Sequence, residues 1–167
     1  MMERDGLLEL LERQGIPFEY ERHERVLNMA ESGALELSLV GARCKNLLLQ
    51  DKQGNLYLVV TTADKALDLR AIAATLDSKR LSFAPAERLS DSLGVRPGSL
   101  SPLALVNDPF GRVRLVMDED LAAERAFLFH PLDSSATVAL SRHDFENFLQ
   151  RIDHAPSWQI LGARQPA

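Results

Sequence analysis

Four short polar stretches interrupt the apolar runs of this sequence, and their residue types limit the chemistry open to it. Lys45–Asn46 stands ahead of "LLLQ", an ammonium and a carboxamide where a buried strand should begin; charged side chains are rarely buried unless paired. "GVRPGSLSP" (94–102) sets two glycines, two prolines and two serines before another apolar run, which ends on Asn107–Asp108. "FHPLDSSAT" (129–137) follows His130 with a proline and a cluster of hydroxyls. Each also has a structural reading. Lys45 could be a strand-edge lysine that discourages aggregation, and the glycine–proline stretch an ordinary turn. Asn107–Asp108 is normal loop chemistry before Pro109, and His130 could be a satisfied structural histidine. Cys44 reads as a small hydrophobe, facing away from Lys45. There is no GxSxG, Walker A, GxGxxG or HExxH pattern. The four histidines (His23, His130, His143, His154) have no zinc spacing, and no metal or cofactor is expected. Spacing alone reaches an α/β domain with a polar pocket, and no further.

The elements that must hold these residues are legible in outline. Leu7, Leu8, Leu10 and Leu11 with Gly15 and Pro17 beyond predict a first amphipathic helix over 3–15. "PFEYERH" alternates like a short strand, and Asn28 opens a short helix weakened by Gly33. Two apolar runs around "DKQGN" predict a β-hairpin of about 46–50 and 56–62. A helix follows over "ALDLRAIAATLD", then a strand "RLSFA" and a helix "AERLSDSLG" ending on Gly94. "PLALVND", "RVRLVMD", "AFLFH" and "ATVAL" are expected to be strands. The last helix, "SRHDFENFLQRI", has Ser141 as N-cap and Phe145, Phe148, Leu149 and Ile152 on one face. The tail "GARQPA" is expected to fray. Strands and helices alternate irregularly, so the expected fold is one α/β domain over 1–167 with a mixed, largely antiparallel sheet.

Bulk properties narrow the setting. The chain has 167 residues, enough for one good core. It has no apolar run long enough to cross a bilayer and no signal-peptide pattern at its start. One cysteine makes no internal disulfide, which fits a reducing cytoplasm. A net charge of −5 argues against a broad nucleic-acid surface and against DNA, but allows a local RNA contact.

In this order the segments "CKNLLLQDKQGNLYLVV", "SFAPAERL", "LGVRPGSLSP", "ALVND" and "FHPLDSSAT" resemble the YbaK/prolyl-tRNA synthetase-associated editing domains. Within that family the sequence is most similar to the freestanding prolyl-tRNA editing proteins, over about residues 5–153. The resemblance implies a barrel-like mixed sheet with surrounding helices. It also implies hydrolysis of the ester between an amino acid and the tRNA 3′ end, with alanine on tRNA-Pro as the leading substrate and prolyl-tRNA synthetase as an associated partner. The matched positions are Lys45, Asn46, Gly98 and Pro102 of the GxxxP loop, Asn107 and His130. Lys45 would anchor a terminal phosphate or ribose oxygen, and backbone N–H groups at Gly98 and Ser99 would approach the substrate carbonyl. Asn46, Asn107 and Pro102 would shape the substrate pocket, and His130 would orient a water or bond the ribose. Lys65, Arg70, Lys79 and Arg80 could be solvated charges or acceptor-stem contacts, and Arg80 is the one carried forward. Where family members often have a threonine before the second helix, this chain has Asn28 and Met29. Two alternatives stay open: the same hydrolysis of cysteine or serine esters, and a non-catalytic tRNA- or synthetase-binding module.

Overall fold

The computed structural model describes residues 1–26, 31 and 34–165. The helix expected from Asn28, and the Asn28–Met29 pair with it, lie outside the described residues. In chain order the elements are α1 (Arg4–Arg13), β1 (Glu19–Arg22), β2 (Ala42–Gln50), β3 (Leu56–Thr62), α2 (Leu69–Thr75), β4 (Ser82–Phe83) and α3 (Ala86–Leu93). A 3-10 helix (Pro102–Asn107) precedes β5 (Val113–Asp118), and a second (Glu119–Leu121) precedes β6 (Ala126–Phe129); β7 (Ala136–Ser141), α4 (Arg142–Arg151) and β8 (Ser157–Gln159) complete the chain.

Eight strands form one mixed sheet in the order β1-β7-β6-β2-β3-β5-β8, with β4 on β2. β1–β7, β6–β7, β2–β3 and β2–β4 are antiparallel, and β2–β6, β3–β5 and β5–β8 are parallel. Antiparallel pairings are therefore a narrow majority. β1 and β8 end the path and do not pair among the described residues, so the sheet is open, and "barrel-like" holds only loosely. Strand side chains alternate faces, and the core divides accordingly. Leu48, Leu58, Val60, Leu115 and Met117 face the larger cluster, with Leu7 and Leu11 of α1, Leu93 of α3 and Phe145 and Phe148 of α4. Leu49, Tyr57, Val59 and Val116 face the smaller one, under Ile72 and Ala73 of α2.

The helix signals work as read. Asp68 caps α2 by accepting from the Arg70 and Ala71 N–H groups, and Gly94 ends α3 in the left-handed region at φ 68°. Ser141 caps α4 by accepting from the Asp144 N–H at 3.0 Å. Three expectations are corrected. "PLALVND" is a 3-10 helix: Leu103, Ala104 and Leu105 are all fully buried, and a run with no polar face carries no period to separate strand from helix. "RLSFA" forms only two residues of strand. The tail is not frayed through Arg164, because the Asp68 N–H donates to the Gly162 carbonyl at 2.9 Å and the Arg164 N–H to that of Ala66 at 2.7 Å. No helix among the described residues is long and apolar enough to cross a membrane.

Candidate editing site

β2 is the strand that organises the site. One edge pairs with β3 from Cys44 to Gln50. The other pairs with β6 at Ala42 and Arg43 and with β4 at Leu49 and Gln50. Between them, from Cys44 to Leu47, that edge has no strand partner among the described residues, and Lys45 and Asn46 border the opening. The last β2–β6 pair is Arg43 with Leu128, and Lys45 and His130 each follow it by two residues, where the strands part.

Lys45 and Asn46 leave β2 on opposite faces. The Lys45 ammonium donates to the Lys65 carbonyl, and that side of the strand carries its cross-strand partner Thr61. Asn46 Oδ1 is buried with no hydrogen-bond partner among the described residues. An unmet buried acceptor costs about 1–3 kcal/mol, so this oxygen is a place for an incoming donor.

His130 is held from two sides. Its Nδ1 lies 2.8 Å from the Ala136 carbonyl, which can only accept, so Nδ1 carries the proton and Nε2 keeps its lone pair in the neutral ring. Burial, the largest influence, and the neighbouring His23 hold the imidazole below the ordinary histidine value, against the opposing pull of the Ala136 carbonyl and Asp133. His23 stands edge-on, 5.8 Å between ring centres, with its Nε2 2.8 Å from Thr137 Oγ1. The backbone of His130 is tied to the glycine–proline loop, since Ser101 Oγ donates to its carbonyl at 2.7 Å.

That loop is built by its own residue types. Gly98 has φ 90°, which favours glycine, and the Ser99 N–H closes a turn on the Arg96 carbonyl at 3.0 Å. Ser99 is buried, and Pro102 is the buried first residue of the 3-10 helix, where its missing N–H costs nothing. Asn107 has a different employment. Its Oδ1 accepts from the Met2 N–H at 2.8 Å, and its Nδ2 donates to the Met2 and Leu93 carbonyls at 3.0 and 2.9 Å. This amide clamps the N-terminal segment to α3, with both Nδ2 hydrogens and one Oδ1 lone pair engaged.

Arg80 is exposed and precedes β4. The Gln50–Ser82 pairing runs antiparallel, which sets Arg80 level with Lys52 at the hairpin end. Gln50, the last residue of β2, is already five residues at ~3.3 Å each, about 16 Å, from Lys45, and Arg80 lies beyond it. Arg80 is therefore no part of the Lys45 pocket. Lys65 is neither a solvated charge nor free for RNA: its ammonium lies 2.8 Å from Asp118 and 2.7 Å from Asp120. Burial acts to lower its pKa, but those two carboxylates outweigh it and hold the ammonium above the ordinary lysine value. Cys44 is buried, and burial, with the charge of Glu124 behind it, pushes its thiol up to about 12. It is no nucleophile at neutral pH. No cluster of His, Cys, Asp or Glu suited to a metal occurs among the described residues.

Sequence reasoning missed Ser101, His23, Thr61 and Asp118. Ser101 lay within the stretch already singled out. The others show no local signal, because their partners are distant in the chain.

Residues 23–148 match the aminoacyl-tRNA editing domain family. The prolyl-tRNA editing protein ProX of Acetoanaerobium sticklandii is 32% identical over 148 residues, 88% of this chain and 90% of its own. The prolyl-tRNA synthetase associated domain-containing protein 1 of Danio rerio is 32% identical over 155 residues, 92% of this chain and 84% of its own. A solved structure described as a candidate trans-editing enzyme for prolyl tRNA synthetase superposes with a TM-score of 0.65 at 17% identity, covering 98% of this chain and 99% of that one, and shares its fold. The chain belongs to the aminoacyl-tRNA editing domain family.

Proposed function

We propose that this chain is a trans-acting deacylase that hydrolyses the ester of mischarged tRNA-Pro, with alanine as the amino acid removed. The observation that carries the reading is the opening in the sheet at Cys44–Leu47. By it stand a tethered ammonium and a buried acceptor, with an imidazole two residues past the last β2–β6 pair; that acceptor and the imidazole Nε2 have no hydrogen-bond partner among the described residues.

The need for such a site follows from size. A pocket built for proline rejects alanine only by lost contacts, on the order of 1–3 kcal/mol, so a second and smaller hydrolytic site restores accuracy. The ester is already activated, so positioning and charge stabilisation carry the chemistry. In the proposed step a water oxygen adds to the ester carbonyl carbon and its proton passes to His130 Nε2. The bond to the ribose oxygen then breaks, and the proton returns to that oxygen, leaving free tRNA and the amino acid. Lys45 spends one N–H on the Lys65 carbonyl and offers the others to a phosphate or ribose oxygen. Asn46 Oδ1 accepts from the substrate's ammonium or a ribose hydroxyl. Gly98 and Ser99 provide close backbone approach beside the carbonyl. Pro102 fixes that loop, and Asn107 holds the N-terminal segment against it while its Oδ1 keeps one lone pair for the substrate. Arg80, at the hairpin end, meets the acceptor stem beyond the pocket. The setting is cytoplasmic, with prolyl-tRNA synthetase as the associated partner.

The test is to incubate the purified protein with Ala-, Cys-, Ser- and Pro-charged tRNA-Pro and follow ester loss. Alanine should be released fastest and proline no faster than in buffer. Faster loss of cysteine or serine would reassign the substrate. No loss above buffer would leave a non-catalytic binding module.

A further inference from the structure

The residue that holds Lys45 is itself held, and the chain of contacts closes on Lys45. Its ammonium donates to the Lys65 backbone carbonyl, while the Lys65 side chain turns inward. There Lys65 Nζ donates to Asp118 Oδ2 at 2.8 Å and to the Leu161 carbonyl at 3.0 Å. Asp118 is fully buried, and the same oxygen accepts from Thr61 Oγ1 at 2.6 Å. Thr61, also fully buried, is the residue paired with Lys45 across β2 and β3. Strand, hydroxyl, carboxylate, ammonium and carbonyl thus form one ring through Lys45. The Ala66 and Asp68 contacts to Arg164 and Gly162 pin the next residues of the loop.

A packed apolar face would hold β2 in place equally well. Burying a carboxylate and an ammonium beside it is costly unless both are paired, and such pairs are retained where they fix one geometry. Asp118 also caps the second 3-10 helix by accepting from the Asp120 N–H at 3.0 Å, and Lys65 also meets the Asp120 carboxylate at 2.7 Å, so the ring is anchored to that helix as well as to β2 and β3. We infer that Lys65, Asp118 and Thr61 are positioning residues, setting the height of the Lys65 carbonyl and through it the direction of the Lys45 ammonium. The inference rests on the proposed role of Lys45 in the site. Misplacing a positioning group by about 1 Å costs on the order of 100-fold in rate.

The experiment compares wild type with Asp118→Asn, Lys65→Met, Thr61→Val and Thr61→Ser by two readouts. Single-turnover deacylation of Ala-tRNA-Pro should fall 10- to 100-fold in Asp118→Asn and Lys65→Met, with tRNA affinity changed less than about threefold. Thr61→Val should show a smaller loss that Thr61→Ser restores. Independently of activity, acylation of Lys45 by an N-hydroxysuccinimide ester, followed by mass spectrometry, should be slow in wild type and several-fold faster once the ring is broken. Full rate and unchanged labelling in folded Asp118→Asn or Thr61→Val overturn the inference. If wild type hydrolyses no charged tRNA, the functional reading fails while the labelling still decides the ring. Should the charge variants not fold, Thr61→Val against Thr61→Ser decides by both measures.

Discussion

Removing one hydroxyl tests how the glycine–proline loop is joined to His130. Ser101 is fully buried and makes two bonds: its Oγ donates to the His130 carbonyl at 2.7 Å and accepts from the Leu103 N–H at 3.3 Å. Ser101→Ala deletes both. The His130 carbonyl is not orphaned, because the Leu132 N–H also donates to it at 3.0 Å. The first loss is therefore an ordinary hydrogen bond, about 1 kcal/mol, rather than the full desolvation cost of a buried acceptor. The second is an N-cap, also about 1 kcal/mol. The sum, about 2 kcal/mol, corresponds to a fall in Tm of roughly 4–8 °C for a chain of this size. Circular dichroism melts of wild type and Ser101→Ala measure it, with deacylation followed at a temperature where both are folded. The rate should fall as well, because the His130 backbone loses its tie to the loop. A Tm within about 1 °C of wild type would mean that the hydroxyl carries neither bond, and the proposed coupling between loop and histidine would be wrong.

The other predictions follow from the same geometry. With His130 held below the ordinary histidine value by burial, the deacylation rate should stay on its plateau as pH falls past 6.5 and decline only lower down; a midpoint at or above 6.5 would refute the neutral-imidazole role. The same depression means that the unfolded chain binds the proton first, so stability should be lost as pH falls from 6.5 toward the folded value, seen in urea melts against His130→Gln. Cys44, with its thiol pushed up to about 12, should resist iodoacetamide at pH 8 in the folded protein and react in urea, and Cys44→Ala should leave the rate unchanged. Gly94→Ala should cost about 1–2 kcal/mol from its φ of 68° alone, and its new Cβ would stand 2.7 Å from Met1 Sδ and 3.2 Å from Asn107 Nδ2. An unchanged melt would show that the N-terminal clamp yields freely.

What the sequence revealed tracks the range of the physical signal. Gly94, Ser141 and the "DKQGN" loop act on neighbours within a few residues, so α3, α4 and the hairpin were legible. The buried run Leu103–Leu105 carries no period, and its 3-10 form was not. "SWQ" gave no sign of β8, which exists because β5 offers it a parallel edge. Among site residues, Lys45 and His130 stood out by their place in the ordered motifs, and both follow the last β2–β6 pair by two residues. Asn107 is equally polar in sequence, yet its work is to clamp Met2. Lys65 read as a surface charge because Asp118, its buried partner, lies 53 residues away.

The pairing of β1 with β7 also fixes when this molecule comes into being. Residues 19–22 are made early but find their neighbours only at residues 136–139. His23 likewise waits for Thr137, and Lys65 for Leu161. Contacts so distant in the chain close late and slowly, because a long loop must lose its freedom before the contact repays it. The hairpin and the helices can form while synthesis proceeds, but the editing pocket cannot. A chain stopped before residue 136 therefore lacks β7 and the partners of β1 and His23, and the proposed deacylation should appear only once the last strands settle.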